Sequence, residues 1–214
     1  MSRNFFLKGI ASILFVSAIL VSTANAQSGK RIIVDKTSTT NSGLSFSTIK
    51  MAVDSAVSGD TIIISEGVYK EKVRTNQRLV IASQFLLDGD TTHISRTIIS
   101  GDSVSQISNT DALVYCSASD RDTSYFKLVG LTITNASKFG LYITWGTIRN
   151  CILMNSGSTT TVPFYLQGSY VVNSKFANNI GIAILQYDWM NPDYQTKPIL
   201  QNNIFINNTA KGIN

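Results

Sequence analysis

Few side chains in this 214-residue sequence are of a type and spacing that could do chemistry, and most of those are carboxylates and aromatics. Asp88 and Asp90 flank Gly89, and Asp120 and Asp122 flank Arg121. Paired carboxylates can divide acid and base duties in glycoside hydrolysis. Both pairs nevertheless stand among turn-forming residues, where short acidic side chains bind nearby backbone and stay solvated. His93, the single histidine, precedes Ile94 in a loop with no evident partner and reads as exposed and inert. One histidine excludes a multi-histidine metal centre, and Cys116 and Cys151, 35 positions apart, lack zinc-knuckle spacing. No metal site and no cofactor is indicated, calcium included.

The aromatics point elsewhere. The stretch Gln186 to Gln195 holds Tyr187, Asp188, Trp189 and Tyr194 with a proline, the composition of a contact loop for sugar rings, whose C–H faces are apolar and whose hydroxyls seek polar partners. A loop folded over its own Trp189 is the alternative. Tyr142 and Tyr165 are separated by the same 23 residues as Asn150 and Asn173. In an alternating strand, Leu141, Ile143, Phe164 and Leu166 then point inward and the two tyrosines outward, beside Thr144 and Gln167. They serve either as a sugar-binding face or as rungs stacked on each other.

The elements that would position these groups can be read along the chain. Arg3 and Lys8 precede an apolar run from Ile10 to Val21 and the small-residue site Ala24-Asn25-Ala26, so residues 1–26 read as a signal peptide and residues 27–214 as an exported domain. The apolar run has 12 residues, short of the roughly 20 that span a bilayer. Eighteen basic and 13 acidic residues give +5; without Arg3 and Lys8 the balance is 16 − 13 = +3, too weak for a nucleic-acid partner. Ile49, Ala52, Val53, Ala56 and Val57 share one helical face, predicting a helix over about 47–58 that Ser47 caps and Gly59 ends. Thr61 to Ser65 is β-branched and continuous, a strand signal. Cys116 and Cys151 both fall in strand-like apolar runs and read as buried free thiols rather than a disulfide.

Four later segments share an apolar-x-Asn-x-x-apolar-x-Asn pattern. They end at Asn135, Asn155, Asn178 and Asn207, spaced 20, 23 and 29 apart, and carry Asn150, Asn173 and Asn202 at the first asparagine position, with Gly130 as the departure. Repeats of that length with alternating pattern predict an all-β coil of parallel strands, one turn per repeat, whose amides stack as a structural asparagine ladder at the corners. Gly140-Leu141, Gly181-Ile182 and Gly212-Ile213 restart each turn. Because the last restart meets Asn214 at once, the chain is expected to be an N-terminal fragment of a longer coil.

Ser45-Phe46-Ser47-Thr48-Ile49, Ala52-Val53, Gly59-Asp60-Thr61-Ile62 and Gly67-Val68-Tyr69-Lys70-Glu71 resemble the entry segment of secreted right-handed parallel β-helix proteins of the pectin lyase-like class, with Glu66 where proline is usual. That resemblance implies a helix capping the coil's N-terminal end. Residues Ser83 to Ile99 are most similar to β-helix repeat proteins of Bacteroidota that carry a C-terminal type IX secretion domain, which implies export and cell-surface display through a sorting domain beyond this sequence. The G-H-G and R-I-K motifs of polygalacturonase-like relatives and the G-T-V-D-F-I-F-G strand of pectin methylesterase-like ones are absent. The expectation is therefore a carbohydrate-binding or adhesive surface module that engages a polysaccharide or extracellular-matrix glycan. The alternative is a polysaccharide lyase or glycoside hydrolase whose cleft lies on later turns.

Overall fold

Thr61–Ile64 is too short and too β-branched to prefer a helix, and it forms a strand paired in parallel with Arg31–Val34 on one side and Val80–Ser83 on the other. The computed structural model describes residues 29–106, 111–117, 125–161, 163–181 and 199–209, and in it this arrangement repeats along the chain. Three parallel sheets result. The first runs from Ser45–Phe46 through Arg31–Val34 to Ile199–Gln201, the second from Gly67–Tyr69 to Ile204–Ile206, and the third from Val73–Thr75 to Phe164–Gln167. From Thr61 to Ala177 the described strands visit the three sheets in the same order turn after turn, giving the right-handed parallel β-helix the repeats predict. Thr132, Ile152, Lys175 and Ile204 are successive partners in the second sheet, so the rungs follow the spacing of the closing asparagines.

Alternation sends every second side chain inward. Ile62, Ile81, Leu128, Ile148 and Val171 from the first sheet meet Ile99, Ile133, Leu153 and Phe176 from the second, and Leu141, Ile143, Phe164 and Leu166 from the third. All are fully buried, and truncating any one to alanine would cost about 2–5 kcal/mol. Cys116 and Cys151 lie in the same interior as free cysteines, and burial pushes both thiols up to about 12.

The N-terminal end is closed by α1, Ile49–Ser55, shorter than the periodicity predicts. Thr48 rather than Ser47 caps it, accepting the Met51 N–H at 3.2 Å, while the Ser47 hydroxyl donates to Asn41. Glu71 accepts the Ile49 and Lys50 N–H groups at 3.0 and 2.8 Å, satisfying two more of the donors that a helix start leaves open. Ala56 is already extended, and the Asp60 carboxylate takes the Val57 N–H at 2.8 Å, so the helix stops before Gly59. Ile49, Ala52, Val53 and Ala56 are buried over the first rung.

Two further helices lie where the sequence reads only turns. After Val80–Ser83 the chain forms α2, Phe85–Asp88, and α3, Thr92–Arg96, before entering the strand Thr97–Ser100. Gly89, with φ at 77°, closes α2, and Asp90 accepts the Thr92 N–H at 2.9 Å to start α3. This insertion lies on the outside of the coil. Phe85 packs on Ile63, Ala82 and Val129, an apolar patch on the outer face of the first sheet.

Candidate functional site

The outer face of the third sheet carries a row of side chains in register. Arg74 pairs with Tyr115, Tyr115 with Tyr142, and Tyr142 with Tyr165, one position per rung. The Tyr115 and Tyr142 rings stack with centroids 5.0 Å apart, and Tyr142 and Tyr165 at 4.4 Å. The Arg74 guanidinium lies 4.1 Å from the Tyr115 centroid, completing the row with a cation over an aromatic face. Tyr142 and Tyr165 are thus where alternation puts them. What differs is their availability: both faces of Tyr142 are covered by neighbouring rings, so a sugar cannot stack on it. Only ring edges and hydroxyls are presented outward. Burial raises the Tyr142 pKa, aided by Tyr115 and opposed by the Tyr165 hydroxyl, so the phenol stays protonated at neutral pH. The Tyr165 hydroxyl donates to Gln167 at 3.3 Å, and Thr144 is buried.

Sequence reasoning missed Arg74 and Tyr115. Both sit centrally in strands, Val73-Arg74-Thr75 and Val114-Tyr115-Cys116, with the in-out-in pattern of Leu141-Tyr142-Ile143. Only the register across 41 residues, from 74 to 115, aligns them, and no repeated asparagine marks that turn. Arg74 also stands between two hollows beside α1. One, of about 520 Å³, is lined by Asp54, Thr75, Asn76, Gln77 and Tyr115; the other, of about 570 Å³, by Lys50, Glu71, Lys72, Val104 and Ser105. The carboxylates at these hollows are already engaged. Asp54 pairs with Lys50 across one helical turn, and Glu71 is held by the start of α1.

Asn135, Asn150, Asn155, Asn173, Asn178, Asn202 and Asn207 all occupy left-handed corners, with φ between 50° and 57°. Short polar side chains tolerate this conformation, and the corner between the first and second sheets repeats it at Gly130, φ 67°. The amides stacked from rung to rung belong to other residues, the ones that follow the corners and point inward. Asn179 donates to the Leu153 carbonyl and to Asn208 Oδ1, both at 3.0 Å, and accepts the Ser156 N–H at 3.0 Å. Asn203 accepts the Ser174 N–H at 2.8 Å and donates to the Val171 carbonyl at 2.9 Å. Ser156 and Ser174 continue these columns, taking the Ala136 and Cys151 N–H groups. The ladder expected at the corner asparagines is displaced by one residue, because the left-handed turn aims their own side chains away from the interior.

His93 is not inert. Its Nδ1 lies 2.8 Å from Glu66 Oε1 and its Nε2 3.1 Å from Asp88 Oδ2, and its side chain is 15% exposed. Arg96 adds a second cation 3.7 Å from Glu66. With both ring nitrogens occupied, His93 has no lone pair to offer a substrate as a base. Asp88 also accepts the Asp90 N–H at 2.8 Å, so the pair Asp88 and Asp90 shapes this insertion.

Tyr187, Asp188, Trp189 and Tyr194 lie outside the described residues, as do Asp120, Asp122, Gly212, Ile213 and the leader 1–26. Among the described residues, no group of three or more His, Cys, Asp and Glu side chains is arranged to hold a metal ion, and no helix is long and apolar enough to cross a membrane.

No protein-family model matches the chain, and no curated protein matches it either. Solved structures do. A pectin methylesterase in complex with a hexasaccharide aligns at 17% identity and a TM-score of 0.48, over 84% of this chain and 66% of that one. The pectin methylesterase from Erwinia chrysanthemi aligns at 16% and 0.45, over 82% and 66%, and that from Aspergillus niger at 13% and 0.41, over 87% of each chain. The chain therefore spans 66% of the length of the first two. Likeness this distant assigns no chemistry.

Proposed function

We propose that the protein is an exported glycan-binding β-helix that holds a polysaccharide along the outer face of its third sheet. The observation behind this reading is the register-aligned row Arg74, Tyr115, Tyr142 and Tyr165 at the edge of the 520 Å³ hollow. Because the rings are stacked face to face, recognition runs through phenol hydroxyls, the Gln167 amide and the guanidinium, repeated at the rung spacing of about 4.8 Å. A linear polymer of repeating hydroxyl-bearing units can answer such a row at several rungs at once. The carboxylates beside the hollow are bound to a helix start and a lysine, which favours holding over cleaving. By residue type, Tyr187, Asp188, Trp189 and Tyr194 are further candidates for glycan contact.

The experiment is a glycan array with product analysis on every retained polymer. Retention without turnover, weakened roughly tenfold by Tyr142→Ala or Arg74→Ala, is the expected result. Shortened or unsaturated products would replace this reading with a polysaccharide lyase or hydrolase. Absence of retention on every polymer would remove the glycan altogether.

A further inference from the structure

The insertion made by α2 and α3 is held to the coil by few contacts. Phe85 covers Ile63, Ala82 and Val129, its N–H donates to the Ser83 hydroxyl at 3.3 Å, and Thr132 donates to the Ile94 carbonyl at 2.7 Å. His93 adds the electrostatic link, joining α3 to Glu66 on the turn before Gly67–Tyr69 and to Asp88 at the end of α2. Ionised carboxylates only accept hydrogen bonds, so two carboxylates can be satisfied together only by an imidazole carrying protons on both nitrogens. A neutral ring donates once and turns its lone pair toward the other carboxylate.

We propose that His93, clamped between Glu66 and Asp88, is a pH-operated clasp that seats the α2–α3 insertion on the outer face of the first sheet and releases it as the pH rises. The charged groups facing the imidazole are Glu66 from the coil, Asp88 from α2, and Asp90 and Arg96 from the insertion itself. Arg96 competes for Glu66 and Asp90 reinforces the negative surroundings. Partial burial disfavours the imidazolium, but the hydrogen bonds it donates to Glu66 and Asp88 outweigh it, and the His93 pKa is raised above the ordinary value. A raised value means that the clasp is complete below the unfolded pKa of about 6.5 and is lost as the pH climbs through the folded one.

Release has two structural consequences. Lifting Phe85 would bare the apolar patch of Ile63, Ala82 and Val129, adding to Leu86 and Leu87, which are exposed already. Thr91 and Ile94 also wall a corner groove of about 410 Å³ that Asn150, Asn173 and Lys175 line from the other side, and that wall would move with the insertion. The clasp therefore decides whether this side of the coil is closed or open.

The test is amide exchange on the intact protein between about pH 5.5 and about pH 9, corrected for the intrinsic exchange rate, together with an NMR titration of the His93 ring. Protection of the Phe85 to Arg96 amides should fall severalfold as the pH rises, that of Ile62 to Ile64 should stay level, and His93 should titrate above about 6.5. In His93→Gln the insertion should be weakly protected at every pH, and Glu66→Gln should lower the His93 titration. A flat profile in the wild-type protein, the same profile in His93→Gln, or a His93 titration below the ordinary value would each overturn the clasp. None of these outcomes bears on the third-sheet face, so the clasp and the glycan reading stand or fall separately.

Discussion

Four of the described corners between the first and second sheets turn on a single left-handed residue, and one of these four differs from the rest. At Asn150, Asn173 and Asn202 the chain turns with φ of 54°, 51° and 53°, and at Gly130 with 67°. The backbone is nearly the same at all four, so the turn itself does not demand glycine. The difference lies outside. A Cβ on Gly130 would stand 2.7 Å from the Phe85 ring and 2.9 Å from the Ser83 hydroxyl oxygen, where the inserted helices come down onto the coil. Glycine at that position marks a ring packed directly on the corner. A break in a repeat thus reports a neighbour that the repeat itself does not contain.

A second contrast lies within each corner, between the residue that turns and the residue that follows. Asn178 and Asn179 are adjacent, yet one is exposed and the other only 1% exposed. Replacing Asn179 with alanine would orphan the buried Ser156 N–H, worth about 1–3 kcal/mol when left unpaired, and would remove a second hydrogen bond from the Leu153 carbonyl. The expected loss is about 2–4 kcal/mol in denaturant unfolding, the largest of the substitutions considered at these corners. Equal losses for Asn179→Ala and Asn178→Gly would erase the distinction between ladder and turn.

Gly130→Asn should come next, at about 1–3 kcal/mol, because the corner conformation accepts asparagine while Phe85 and Ser83 do not yield the space. The decisive measurement is a double-mutant cycle. In a Phe85→Ala background, whose own cost is measured separately, Gly130→Asn should lose most of its penalty. If the penalty persists unchanged, the backbone and not the neighbour requires glycine, and the comparison of corners fails.

The coil was legible because its repeats restate one local rule at each turn. Asn135, Asn155, Asn178 and Asn207 mark second-sheet corners, and their unequal spacing passes directly into the register of Thr132, Ile152, Lys175 and Ile204. The outward direction of Tyr142 and Tyr165 followed from alternation with Leu141 and Phe164. Arg74 and Tyr115 were hidden because the turn that carries them lacks the asparagine marker, leaving its register open. The His93 cluster was hidden for another reason: Glu66 lies 27 residues away, and only the folding of two short helices brings it to the imidazole. The inward ladder was assigned one residue early because Asn-Asn pairs at 178, 202 and 207 give composition without direction.

The smallest effect tests the turn residue most cleanly. At Asn173 the side chain is exposed and φ is 51°, so asparagine is there for its tolerance of the left-handed region. Glycine reaches that region without steric cost but gains freedom in the unfolded chain, so Asn173→Gly should destabilise by only about 0.5 kcal/mol. Alanine has no such tolerance, since its Cβ meets the following carbonyl, and Asn173→Ala should cost about 1–2 kcal/mol. The order matters more than either value. Alanine worse than glycine means that the backbone conformation is what asparagine supplies at this corner. If glycine proves as costly as alanine, or costlier, the lost amide itself accounts for the stability, and Asn173 joins Asn179 as part of the ladder.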